Sequence, residues 1–167
     1  LVGDGKNSSY YMNQVWQELD ENPSLRGIAI RYPWKELEPE KGVYNFTNID
    51  KHLATLKTKG KHLIVLIEVK SFKPTEFDVP SYIRTAEYEG GTFPHGKNGV
   101  VKGHNAKLWN AEVYARYAAL LTAMGKHLDA HPNFEGIGLQ ETTYGTPIKP
   151  LTLAQSNGYY DNLLKLN

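Results

Sequence analysis

The chain has 167 residues, with 19 Lys and Arg against 18 Asp and Glu for a net charge of +1, so nothing in its charge argues for nucleic acid or an anionic membrane as a partner. It has no cysteine, which excludes disulfides, thiolate metal sites and a cysteine nucleophile together. The length suits a single domain over residues 1–167, no apolar run approaches the roughly 18 residues of a membrane span, and no signal peptide is read at Leu1.

In chain order, Ser8 or Ser9 is expected to cap a first helix. Met12, Val15, Trp16 and Leu19 fall at helical spacing in it, and Asn22-Pro23 stops it. Gly27 to Tyr32 reads as a buried-type strand with Arg31 near its C-terminal end. The stretch from Pro33 to Phe46, broken by two prolines and a glycine, reads as a loop. Thr47 is expected to cap a second helix, with Ile49, Leu53 and Leu56 on one face and Gly60 as its end. His62 to Val69 is the strongest strand signal, apolar on both faces as in a central parallel strand.

Residues 70–110 read as one long irregular segment, of the kind that is usually functional or mobile inside a compact domain. Ala111 to Leu128 is amphipathic through Val113, Tyr117, Leu120, Leu121, Met124 and Leu128. After His131-Pro132 comes a short apolar strand closed by Glu141, and Leu151 to Leu166 is expected to be the last helix. Alternating elements of this kind imply βαβ crossovers and a parallel sheet with outer helices. Three strands are too few to close a barrel. In such a sheet the C-terminal strand ends face the ligand crevice, which places Glu141 and Glu68 where chemistry is usually done.

The run from Gly27 to Phe46, containing Trp34, Leu37-Glu38-Pro39, Gly42, Tyr44 and Phe46 and followed by Asp50, resembles the clan A glycoside hydrolases. Those enzymes are (β/α)8 barrels, and several of their families carry a similar W-x-x-L-E-P-x-x-G-x-Y-x-F…D pattern after the second strand. The resemblance implies an α/β fold equivalent to the N-terminal half of such a barrel. It also implies hydrolysis of a β-linked poly- or oligosaccharide, no cofactor, and Glu141 as the acid/base glutamate. A secreted or periplasmic setting is the expectation that goes with it.

Two departures accompany the resemblance. Gln140 stands where the family usually has Asn, and the nucleophile that the family carries on its seventh strand has no counterpart in a chain that ends near the fourth. Retaining glycosidases use two carboxyl groups about 5–5.5 Å apart, and Glu68 is the candidate partner, with a rim salt bridge to Lys70 or Arg31 as the alternative. Arg31 matches the strand-two arginine that orients the nucleophile. Trp34, His104, Trp109, Gln140 and Tyr144 are candidate substrate contacts, although packing that anchors the loop is the preferred role for Trp34. His95 and His104 form no spaced metal motif, so no metal is expected. A half barrel exposes strand edges and an apolar face, which predicts a homo-oligomer or association with a complementary half-barrel. The alternative function is a non-catalytic, carbohydrate-binding remnant of such a barrel.

Overall fold

The computed structural model describes residues 9–139 and 143–166. A three-stranded parallel sheet organises them, in the order β1 (Gly27–Pro33), β2 (His62–Glu68) and β5 (Phe134–Leu139). Register runs from Gly27 opposite His62 to Pro33 opposite Glu68 on one side of β2, and from Leu63 opposite Phe134 to Ile67 opposite Leu139 on the other. The central position of β2 explains why its sequence is apolar throughout.

Helices cover one face of this sheet. Met12, Val15 and Leu19 of α1 (Ser9–Glu21), Ile49, Leu53 and Leu56 of α3 (Thr47–Thr58), five residues of α4 (Ala111–Leu128) from Val113 to Leu128, and Tyr159 and Leu163 of α5 (Leu153–Leu164) share one buried cluster with Ile30, Tyr32, Leu63, Val65 and Ile67. Alternation along β2 follows from the pleat: Leu63, Val65 and Ile67 are buried under the helices, whereas Ile64 on the opposite face is 42% exposed. That second face carries Gly27, Ala29 and Arg31 of β1 beside Ile64, Leu66 and Glu68 of β2. The arrangement is that of part of a TIM-type barrel, helices outside and the barrel's inner face left open.

Helix boundaries follow local chemistry. Asn110 caps α4, its Oδ1 accepting from the amides of Glu112 and Val113. Thr152 and Gln155 form a reciprocal capping box that starts α5 two residues later than the apolar pattern suggests. Thr47 is the first helical residue of α3 rather than its cap, and its amide donates to Asn45 Oδ1. Trp34–Leu37 winds into a one-turn helix, α2, within the expected loop.

Residues 70–110 are not irregular. They contain 3-10 turns at Ser81–Arg84 and Ala86–Tyr88 and an antiparallel hairpin of β3 (Thr92–Lys97) and β4 (Val100–Ala106). The hairpin turns through Asn98-Gly99, both at positive φ (53° and 76°), the strongest short hairpin signal a sequence carries. Its strands hid it, because β3 contains Pro94 and Gly96 and neither strand alternates apolar with polar. β4 docks antiparallel on the chain leaving β2 through Ala106 N–H to the Val69 carbonyl and Ser71 N–H to the His104 carbonyl.

Candidate functional site

The C-terminal end of β2 positions the first group. Glu68 is 3% exposed and lies on the open face of the sheet, and Arg31 sits on the same face of β1, opposite Leu66 and one pleat short of Glu68. An ionised carboxylate this enclosed is stable only with polar partners, and both Glu68 and Arg31 are engaged in polar or electrostatic contacts. Two residues further on, Lys70 returns to the same side at 4% exposure. Its Nζ donates to the Thr143 carbonyl at 3.5 Å and lies 5.0 Å from the centre of the Phe72 ring, which is 56% exposed.

The hairpin builds the wall above this rim. His95 is buried and its Nε2–H donates to the Ser71 carbonyl at 2.8 Å, which assigns the ring proton to Nε2, because a carbonyl only accepts. Asn105 is fully buried, and its Nδ2 donates to the Tyr144 carbonyl at 3.4 Å and to the Tyr159 hydroxyl at 3.2 Å. Gly96 N–H donates to the Thr146 carbonyl and Ile148 N–H to the Pro94 carbonyl. The hairpin therefore holds the segment that begins two residues after Glu141.

Glu141 and Gln140 lie outside the described residues. Trp34 is fully buried beneath the sheet's helix layer, 5.1 Å from the Tyr117 ring, and its indole N–H donates to Glu38 Oε2 at 2.9 Å. No face of that indole is open to a sugar, and its place in the structure is to anchor the loop. Tyr144 packs among Phe93, Tyr159 and Tyr160 and shares a 2.9 Å hydrogen bond with Ser156 Oγ. His104 stacks on Phe77 with ring centres 4.1 Å apart, and burial holds its imidazole below the usual histidine range while a hydrogen bond to the backbone of Glu76 pulls the other way. Its Nδ1 is buried with no hydrogen-bond partner among the described residues.

Trp109 lies elsewhere again, in a groove between β3 and the start of α5 that neither Glu68 nor Arg31 lines. The structure thus brings Glu68 and Arg31 to one face of the sheet, adds Lys70, His95 and Asn105, and separates Trp34 and Trp109 from them. Lys70 was detectable in the sequence, since position 70 follows Glu68 by the strand period of two. Asn105 and His95 were not, because only the hairpin brings them there. Among the described residues no group of three or more His, Asp or Glu is placed to hold a metal ion.

No protein-family model and no curated protein matches the chain. Solved structures do. The β-galactosidase from Rahnella sp. R3 superposes with a TM-score of 0.58 at 15% identity over 83% of this chain and 20% of its own. The GH5_18 protein from Bifidobacterium longum gives 0.58 at 16% identity over 96% of this chain and 36% of its own. A β-glucosidase from Exiguobacterium marinum gives 0.52 at 15% identity over 82% and 26%. At such identities the likeness is one of fold, and the chain spans about a fifth to a third of the structures it matches. The likeness therefore holds at the level of architecture: the chain carries the fold of part of a TIM-type (β/α) barrel.

Proposed function

We infer that the chain contributes to hydrolysis of β-linked poly- or oligosaccharides, with Glu141 as general acid/base and Glu68 as the second carboxylate. The observation that carries this reading is the position of Glu68, a buried carboxylate at the C-terminal end of a central parallel strand, beside Arg31 and in the fold of glycosidase barrels. Protonation of the leaving oxygen by a carboxylic acid, with a second carboxylate about 5–5.5 Å away as nucleophile or about 6.5–9.5 Å away as base, is the chemistry such a pair performs. Arg31 lies on the same face of the sheet as Glu68, and Lys70 follows Glu68 by two residues.

Glu141→Gln is expected to lower turnover of an aryl or oligosaccharide β-glycoside by roughly 10²–10⁴-fold, the usual worth of a general acid, with folding and sugar binding retained. An unchanged rate in that variant sinks the reading. Glu68→Gln should lower turnover comparably if Glu68 is the partner carboxylate. If Glu68→Gln is silent while Glu141→Gln is not, the second carboxylate is a group other than Glu68.

The enclosure of Glu68 favours one other reading, in which Glu68 is a structural ion-pair member and the chain binds carbohydrate without cleaving it. Oligosaccharide binding with no reducing sugar released at any pH selects that reading.

A further inference from the structure

The groove lined by Trp109 differs in charge from two others among the described residues. The cavity at the other end of the open sheet face is lined by Arg26 and His62 against Glu135, and the groove beside Phe77 sets Lys35 and Arg84 against Glu76. The groove between β3 and the start of α5 has Lys107 and Lys149 along it and no carboxylate among its lining residues. In a chain whose charges balance to +1 overall, that is a local excess of positive charge next to an aromatic face.

Its parts are held in place. Trp109 is backed by Phe93, ring centres 4.9 Å apart, and α5 approaches so closely that a Cβ on Gly158 would stand 3.2 Å from Trp109 Cβ. Glycine at 158 leaves room for this close approach of the helix to the tryptophan. Lys107 is anchored by its hydrogen bond to the Glu89 carbonyl at 2.6 Å. Lys149 is exposed and pairs with no carboxylate among the described residues. The groove measures about 280 Å³, near the lower bound of roughly 300 Å³ for ligand clefts, which is room for a short saccharide rather than a long one.

We propose that this groove is a subsite for a uronate-bearing saccharide, one ring stacked on Trp109 and its carboxylate paired with Lys149 and Lys107, separate from the Glu68 rim. The choice of a sugar rests on the glycosidase reading; the choice of an acidic one rests on the two lysines and the absence of a carboxylate in the lining. A sugar presents a flat C–H face that an indole covers, and a carboxylate gives the ammonium groups a partner that a neutral sugar lacks.

The test is binding to the intact chain, by calorimetry and tryptophan fluorescence, of a galacturonate trimer and of a neutral hexose trimer. The acidic trimer should bind roughly tenfold more tightly, a preference of the size one or two exposed ion pairs give, and the preference should shrink as NaCl is raised. Lys149→Gln should bring the two trimers close to equal without changing the neutral one. Trp109→Ala should abolish binding of both, and Trp109→Phe, which keeps an aromatic face and guards against misfolding, should restore most of it. Equal affinities in the wild-type chain, or a preference untouched by Lys149→Gln, overturn the proposal. Because the readout is binding, uronate preference without hydrolysis removes the glycosidase reading and leaves the subsite, whereas hydrolysis without uronate preference does the reverse.

Discussion

Glu38 shows how much one residue of the Trp34 run holds together. It is fully buried, and its carboxylate accepts from the indole N–H of Trp34, from the Gly42 amide at 2.9 Å, and from the Arg116 guanidinium of α4, 78 positions away. Arg116 in turn reaches the hydroxyls of Tyr82 and Tyr44. The motif therefore ties the loop after β1 to a distant helix. Removing one member leaves a buried charge unpaired, so Glu38→Gln is expected to cost about 3–5 kcal/mol in denaturant unfolding. Glu38→Gln combined with Arg116→Met should cost less than the sum of the two single changes, because each single change strands the other's charge.

His52 makes a residue-scale prediction of a different kind. Its Nδ1 lies 2.6 Å from the Tyr32 hydroxyl, whose own ionisation burial pushes far up, so the tyrosine donates and the histidine accepts. Burial, assisted by the charge of Lys51, holds His52 below its ordinary 6.5. A histidine depressed in the folded state binds fewer protons there than in the unfolded chain, so its contribution is present above about 6.5 and is lost as pH falls from there through the lower folded value. Thermal melts of the wild type against His52→Gln between pH 5 and 8 should show the wild type losing stability faster on the acid side. Parallel curves refute the assignment.

At the scale of elements, the hairpin β3–β4 is the piece that converts a bare set of strands into a rim with walls. It bonds to the chain leaving β2 on one side and to residues 146–148 on the other, and Asn105 completes the join from inside. Asn105→Ala leaves the Tyr144 carbonyl and the Tyr159 hydroxyl without that partner, but it also removes the Oδ1 that is buried and unpaired. A net loss of about 1–3 kcal/mol is expected. Amide exchange should rise selectively over residues 143–148, and exchange rising evenly over the whole chain would mean that Asn105 supports the core rather than this join.

At the scale of the whole molecule, the open face of the sheet is the notable feature. Ile64, Leu66 and Ala29 face away from the helices, Ile64 is 42% exposed, and among the described residues neither β1 nor β5 has a strand on its outer side. Unpaired edges beside apolar surface favour association, and the matched structures are barrels of which this chain spans a part. Light scattering is expected to give the mass of two or more chains, falling to one when Ile64→Lys puts a charge on the open face. A stable, soluble single chain at high concentration counts against association through this face.

Much of this was legible in the chain itself, for a reason that varies with the element. The strands β1, β2 and β5 and the helices α1, α3, α4 and α5 declare themselves by local periodicity, since each must bury one stripe or face and its own residues record which. Residue types at strand ends marked Glu68 and Arg31 in the same way. What only the tertiary structure decided is which distant groups meet. Trp34 reads as either a loop anchor or a sugar platform, and its enclosure by Glu38 and Tyr117 makes it the anchor. Trp109 reads as part of one cleft and lines another groove. Asn105 carries no local signal at all, yet it joins the hairpin to the segment after β5. Local periodicity is set by the neighbours in sequence, whereas the contacts of Trp34 with Tyr117 and of Asn105 with Tyr144 and Tyr159 are set by how separate elements pack, and no short window of sequence contains both partners.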